Sequence, residues 1–465
     1  MKKILSLITV FAIMFSVLST NASAQTGTVS PYEKLYMGML NMESVIDLSE
    51  YMIPEAEIGS YITSVLHTYP ELFHISNEYY YWLDESESTY ISQVAFNYIM
   101  TKEEYKNRLN EFDLWVEEIA SGVDSSATDL EKLFYVHEYF VSHLEYDYSE
   151  TIFDAYNMLK YKTGVCQAYT LAFTAVVRKM GIYSTSALND AERHCWNIVK
   201  LGDNYYHIDV THDDPRVVYE DSQNNDFNAG NYGRRSLFLL SDDTVKKFSY
   251  HSSWVSVGGQ YVCSDTTYEN KFWESYKHPN IYCDGGWYQV CEQGKFTSEN
   301  GNMYWSADIK RVMENGEMQV LKTINTPAKK TNNQYVSVNH NGYAVGNLIY
   351  GNSNNNFWWY NPKTEEFKVF FVAPYDVIES YYYCGKIFYL LSNNEGIYAW
   401  RYYQLAMGDI DGDGMILAND LVGIKKFLLL READFNYGLL DFNADGYINI
   451  LDYIDMNKAV SNATV

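Results

Sequence analysis

Apolar positions divide this chain into distinct stretches. A nearly unbroken apolar run, Ile4 to Leu18, comes first. From residue 30 to about 160 the apolar positions recur at helical spacing, with a polar break from Gly122 to Thr128. After the break, Asp129-Leu-Glu-Lys-Leu-Phe-Tyr-Val-His-Glu-Tyr-Phe-Val predicts a helix. Between 163 and 215 the pattern reads as a helix followed by a hairpin. The helix opens at Cys166, is stopped by Gly181, and turns Leu171, Ala172, Ala175 and Val176 inward. With Gly202-Asp203 as a two-residue turn, Leu201 faces Asn204 and Trp196 faces Asp209. From about 280 to 404, aromatic or β-branched runs alternate with Asn- and Gly-rich turns, as in Asn356-Phe-Trp-Trp-Tyr and Gly385-Lys-Ile-Phe-Tyr-Leu-Leu. That alternation predicts antiparallel β-structure, repeating loosely every ~40 residues in the manner of blades, a sandwich or an open repeat stack. Helix and loop signals return from Met407 onward.

Composition narrows the function classes. The chain has 465 residues with 47% hydrophobic content, enough for several packed cores. A formal net charge of −26 excludes nucleic-acid and anionic-membrane partners, which need clustered Lys and Arg. Lys2 and Lys3, the apolar run and the small residues Ala22-Ser23-Ala24 form the pattern of a signal peptide over residues 1–24. The expected location is therefore secreted and extracellular. No later apolar segment is long enough to span a bilayer. The cysteines are Cys166, Cys195, Cys263, Cys283, Cys291 and Cys384, too sparse for a disulfide framework. Cys283 and Cys291 could pair across a hairpin or stay as free thiols. With 45 tyrosines the chain suits half-buried strands and sticky surfaces.

Two acidic twelve-residue loops stand near the end, Asp409 to Asp420 and Asp441 to Asp452, each with Gly at position 6 and Ile at position 8. Calcium takes hard oxygen ligands, and loop positions 1, 3, 5, 7 and 12 can supply them. The candidate ligands are Asp409, Asp411, Asp413, Asp420 and the carbonyl of Met415 in the first loop. In the second they are Asp441, Asn443, Asp445, Asn449, Asp452 and the carbonyl of Tyr447. Helices are predicted over Leu421–Leu430 and Tyr453–Val460. This paired pattern resembles a type I dockerin, covering residues 408 to about 460. The resemblance implies two Ca2+ ions and a cohesin domain of a cellulosome-type scaffoldin as partner. Leu417 departs from it, standing at position 9 where an oxygen donor is usual. Positions 10 and 11, which in that family choose the cohesin, are Ala418-Asn419 and Ile450-Leu451.

Thiol catalysis needs a thiolate, a base and a group that orients the base. The chain offers Gly164-Val-Cys166-Gln-Ala-Tyr-Thr, then Arg193-His194-Cys-Trp-Asn, then Tyr206-His-Ile-Asp209-Val-Thr-His-Asp-Asp-Pro215. A cysteine at a helix N-terminus feels unpaired N–H groups that stabilise its thiolate. The hairpin register sets Asp209 diagonal to His194, within side-chain reach. Cys on a helix, His on a strand and Asp on the next strand, in that order, resembles the transglutaminase-like superfamily of papain-type folds. The resemblance covers residues 130–215 closely and 30–280 loosely. It implies catalytic roles for Cys166, His194 and Asp209 in acyl transfer through a thioester. Ala168, Cys195 and His212 depart from the usual Gly, Ala and Trp.

The expected organisation is a signal peptide over 1–24, an α+β transglutaminase-like domain over 25–280, an all-β region over 281–404, and a small all-α calcium-binding dockerin over 405–465. The expected function is a cellulosome-attached cysteine peptidase or amidase acting on protein or peptide, with crosslinking to an amine as the other outcome. A non-catalytic binding component is the alternative, with Trp287, Trp305, Trp358 and Trp359 as contacts. A glycoside hydrolase lacks any paired-carboxylate motif here.

Overall fold

The structure is a computed structural model. It describes residues 3–6, 29–84, 89–123, 126–214, 235–271, 273, 280–313, 316–331, 333–383, 385–392, 398–410, 415–430, 435–443 and 448–463.

The N-terminal part is not helical throughout. Strand β1 (Lys3–Ser6), helix α1 (Pro31–Leu40), strand β2 (Ile46–Asp47), helix α2 (Ile58–Thr68) and strands β3 (Ile75–Leu83) and β4 (Ile91–Tyr98) precede the long helices. These strands form one antiparallel sheet in the order β1-β3-β4-β2. The expectation of helix from 30 to 160 therefore fails between Ile75 and Tyr98. Tyr-, Trp- and Ile-rich runs favour a half-buried pleated surface over a helix. Tyr79 and Tyr81 duly point into the core below Leu35, Ile46 and Ile62. The leader predicted over residues 1–24 lies outside the described residues except for β1, which pairs Lys3 with Tyr81.

Helix α3 (Lys102–Ala120) runs up to the polar break, and helix α4 (Asp129–His143) starts just after it, where the sequence predicts a helix. Both carry capping boxes, Thr101 with Glu104 and Thr128 with Glu131, which satisfy otherwise orphaned N–H groups. Strand β5 (Glu145–Tyr146), helix α5 (Ala155–Tyr161), strand β6 (Thr163–Gly164), helix α6 (Cys166–Lys179) and strands β7 (Ser184–Asn189), β8 (His194–Leu201) and β9 (Asn204–Ile208) follow. After them come the one-turn helix α7 (Val210–Asp213), strand β10 (Phe238–Leu240), helix α8 (Asp242–Val245) and strand β11 (Val255–Ser256). The second sheet runs β10-β9-β8-β7-β11, and α6 packs against β8. The buried core between them holds Leu133, Phe140, Tyr169, Phe173, Val176 and Ile208.

The region after 280 is a succession of antiparallel meanders. The first is β12 (Asn280–Cys283), β13 (Gly286–Glu299), β14 (Asn302–Val312) and β15 (Met318–Pro327). A small ribbon, β16 (Lys329–Thr331) with β17 (Gln334–Val336), links it to the next. That second meander is β18 (His340–Val345), β19 (Leu348–Ser353), β20 (Asn356–Tyr360) and β21 (Phe367–Val372). The third is β22 (Asp376–Tyr383), β23 (Lys386–Ser392) and β24 (Tyr398–Gln404). Strand β18 packs on β12 and β13 at one side and on β22 at the other, so the meanders stack in chain order. Helix α4 touches β12, and Phe134 meets Trp287 edge-on at 4.7 Å, tying the stack to the α+β domain. Cys283 and Cys291 are free thiols: Cys283 sits opposite Gly286 and Cys291 opposite Asp308.

Helices α9 (Ala418–Leu430) and α10 (Ile450–Ala463) end the chain, each starting about three residues before its predicted start. They enclose a small core of Ile424, Phe427, Leu440 and Met456. The tail leans on the β18–β19 turn, where Gly346 and Gly438 meet backbone to backbone. A Cβ on Gly346, whose φ is +60°, would lie 2.3 Å from the Gly438 nitrogen.

Candidate active site

The site begins with how the chain delivers Cys166. Strand β6 pairs in parallel with β5, then Val165 turns the chain into α6 without a side-chain cap. Gly164 is needed at this turn, since a Cβ there would stand 2.7 Å from the Cβ of Ala168. Cys166 occupies the first helical position, partly exposed, beside the unpaired N–H groups of the first turn. The residues named for the inward face of α6 are buried except Ala175, which is half-buried.

The hairpin delivers the other two groups. Strands β8 and β9 pair Leu201 with Asn204 and Asn197 with Ile208, around a turn in which Gly202 has φ +61°. The ladder ends there, so Asp209 leaves the strand and becomes the N-cap of α7, its Oδ1 accepting from the His212 N–H at 3.0 Å. Its Oδ2 faces His194 Nε2 at 2.6 Å. With Nε2 turned to the carboxylate, Nδ1 is left for Cys166, which lies near enough for the two groups to shift each other's protonation. The three residues therefore come together in one chain of contacts.

Electrostatics polarise this chain. Hydrogen bonding from Cys195 holds the Cys166 thiol well below its usual range; burial opposes this, and His194 adds to it through a hydrogen bond and its charge. At His194 burial works against protonation, but the Asp209 charge and hydrogen bond, with those of Cys166, push it up to about 10. Burial would raise Asp209, yet His194 and His251 together hold it far below the carboxylate range. Both shifts favour the thiolate–imidazolium pair over the neutral one.

His251 was not singled out by sequence reasoning. It is fully buried, with Nε2 2.9 Å from Asp209 Oδ2 and Nδ1 2.6 Å from the Ser249 carbonyl. Each ring nitrogen thus faces an acceptor, and Asp209 is gripped by two imidazoles and one amide. His212, flagged as an extra imidazole, lies behind this group, its ring 5.8 Å from that of His251.

Trp196 forms the floor. It is 1% exposed, stacks 5.7 Å from His194 and donates its indole N–H to His207 Nδ1 at 2.9 Å. An indole only donates, so His207 carries its proton on Nε2 and directs it to Asp242 at 2.9 Å. The His207, Asp242 and Cys263 side chains lie close enough to share an ion. The fixed tautomer makes them a hydrogen-bonded prop instead. Asn197 ties β8 to α6 by donating to the Thr170 carbonyl at 3.0 Å and Thr174 Oγ1 at 2.9 Å.

The acidic loops of the tail are described in part. Asp409, Asp420, Asp441 and Asp452 are all buried. Asp420 accepts from the Ile410 N–H at 2.9 Å and the Leu417 N–H at 2.7 Å. Asp452 repeats the pattern with Phe442 at 2.9 Å and Asn449 at 2.8 Å. Asn449 also accepts from Leu451 N at 2.7 Å. Asn443 and Met415 are exposed. Asp411, Asp413, Asp445 and Tyr447 lie outside the described residues. Of the tryptophans offered as binding contacts, Trp358 is fully buried, Trp287 packs on Phe134, Trp305 is half-buried and bonded to Glu292 at 3.1 Å, and Trp359 is half-buried. Among the described residues, no helix is long and apolar enough to cross a membrane.

Residues 115–210 match the family model of the transglutaminase-like superfamily, and this segment is a transglutaminase-like domain. A solved structure titled "Crystal structure of a TGase" is 12% identical, with a TM-score of 0.21, over 30% of this chain and 45% of its own. The likeness therefore spans less than half of that chain's length. No curated protein matches.

Proposed function

We propose that the chain is a secreted cysteine acyl-transfer enzyme, acting on amide bonds of proteins or peptides, and held to a scaffold by a calcium-dependent tail. The catalytic reading is carried by the contact chain from Cys166 through His194 to Asp209, ending at 2.6 Å. In this reading the Cys166 thiolate attacks an amide carbonyl. His194 gives its proton to the leaving amine as the C–N bond breaks, and a thioester remains. The free N–H groups at the start of α6 can hold the oxyanion. His194 then takes a proton from water, which hydrolyses the thioester, or from an amine, which crosslinks. We favour water. The test is a panel of peptide amides, with and without a primary amine, assayed for ammonia or amine release. Release by the wild type that is lost in Cys166→Ala supports the reading; equal release by both rejects it.

The tail reading rests on the buried aspartates Asp409, Asp420, Asp441 and Asp452 that open and close the two loops. Hard carboxylate donors in these positions suit Ca2+, with Asp409, Asp420, Asp441, Asn443, Asn449 and Asp452 among the holding groups. The ions would supply the countercharge that lets these carboxylates stay ionised while buried. Ile450 and Leu451 are 58% and 52% exposed, as a pair that contacts a cohesin would be. Chelation by EDTA should abolish cohesin binding, and binding that persists without calcium would reject the attachment.

A further inference from the structure

The residue after the catalytic histidine is itself a thiol, and the fold aims it at the nucleophile. Cys195 lies on β8 opposite Leu188 of β7, 5% exposed. With Leu188 and Val257 it forms a small apolar cluster against which Cys166 packs. Thr170, one turn further along α6, holds the two cysteines together: its Oγ1 lies 2.8 Å from the Cys166 carbonyl, 3.2 Å from the Cys195 carbonyl and 3.6 Å from the Cys195 sulfur.

In acyl transfer Cys195 only helps to lower the Cys166 thiol, while Cys166, His194 and Asp209 carry the bond-making and proton transfers. The two thiols are also unequal in a useful way. Cys166 is partly exposed and its thiol is lowered, so it meets a soluble oxidant first. Cys195 is buried, and its contact with Cys166 followed by burial push its thiol well up, so it keeps its proton and waits. One attacking and one resolving cysteine, already in contact, are the parts of a dithiol redox site.

We propose that Cys166 and Cys195 form a modification site for peroxide-class oxidants, which join them in a reversible intramolecular disulfide. In the first step the Cys166 thiolate attacks one peroxide oxygen. An S–O bond forms, the O–O bond breaks, and the hydroxide leaves as water by taking the proton of the His194 imidazolium. In the second step the Cys195 sulfur attacks the sulfenic sulfur. The S–S bond forms, the S–O bond breaks, and the hydroxyl leaves as water with the Cys195 proton. Two thiols are oxidised by two electrons, and one peroxide is reduced to two waters. The disulfide masks the nucleophile and shields it from further oxidation to sulfinic acid, which thiols do not reverse. A dithiol reductant reopens the site.

The test is peptide mapping by mass spectrometry of the full chain, reduced, then titrated with hydrogen peroxide and alkylated. The expected wild-type result is a Cys166–Cys195 linked peptide and the loss of two hydrogens in intact mass. Dithiothreitol should then restore all of the alkylation at Cys166. In Cys195→Ala, or in Cys195→Ser where alanine disturbs folding, Cys166 should pass to sulfinic acid, with no recovery by dithiothreitol. Wild-type Cys166 reaching sulfinic acid while Cys195 stays alkylatable overturns the proposal. So does equal recovery in wild type and variant. The readout needs no acyl substrate, so a chain that forms the disulfide but transfers no acyl group sinks the proposed function and leaves this inference standing.

Discussion

The hairpin site and the C-terminal tail solve the same problem with opposite means. Each buries carboxylates, and a buried charge is costly unless it is met by donors or by countercharge. At the hairpin, Asp209 is 1% exposed and receives His194, His251 and the His212 amide. The two imidazoles come from 15 and 42 residues away, so most of the charge is satisfied by tertiary folding, and only the amide, 3 residues away, is local. In the tail, Asp420 and Asp452 receive backbone N–H groups from no more than 10 residues away. Asp409 and Asp441 are buried beside them at the start of each loop. The first arrangement makes a charge that can act on a neighbouring imidazole. The second concentrates negative charge in one short loop and invites a cation. A site that moves protons needs partners fixed from afar, whereas a site that takes an ion needs a compact ring of oxygens.

Substitutions can break this contrast. Cys166→Ala should remove acyl transfer by about 10^4-fold or more, leaving only binding and oxyanion effects. Steady-state release of amine checks it. Asp209→Asn should cost about 10^2- to 10^4-fold in kcat, because the amide neither holds the imidazolium by charge nor accepts as strongly from His194. His251→Leu sharpens the point. It removes a hydrogen bond to a charged group worth roughly 1.5–3 kcal/mol, so a loss of about tenfold to hundredfold in kcat/KM is expected. No loss there would show that His194 and the His212 amide suffice for Asp209 without His251.

The tail should respond to metal and not to any of these changes. Calcium at about 100 times its Kd should stabilise the tail by roughly 2.7 kcal/mol, seen as a shift in its melting transition and reversed by EDTA. The melting of the transglutaminase-like domain should stay where it is. A shift in both transitions would mean that the two regions fold as one unit.

The same contrast explains what could be read from the residues alone. The acidic loops are local, so spacing within twelve positions exposes them. The convergence of Cys166, His194 and Asp209 was legible because Gly202-Asp203 fixes one hairpin register and Gly164 and Gly181 bracket the helix. Cys195 and His212 stood out by adjacency. His251 did not, because nothing in Tyr250-His251-Ser252 links it to Asp209 until β11 and the preceding loop fold back. The β3–β4 hairpin was misread as helix for a related reason. Its Tyr-rich alternation is decided by the core above it, which sequence periodicity does not see. The stack of meanders was legible as antiparallel β-structure, while its packing order, set by β18 between its neighbours, was not.

The central claim is that the fold holds Cys166 as a thiolate against a protonated His194. The direct measurement is the rate of alkylation of Cys166 by iodoacetamide as a function of pH, read by peptide mapping, in wild type and His194→Ala. The lowered Cys166 and the raised His194 together define a window in which the ion pair persists, opening well below the usual thiol value of 9.0 and closing near pH 10. The account predicts that wild-type alkylation is already on its plateau at neutral pH, with a further change as His194 loses its proton near pH 10, and that His194→Ala moves the main titration upward. A wild-type profile that rises only near the ordinary thiol value, and is unchanged by His194→Ala, would contradict it.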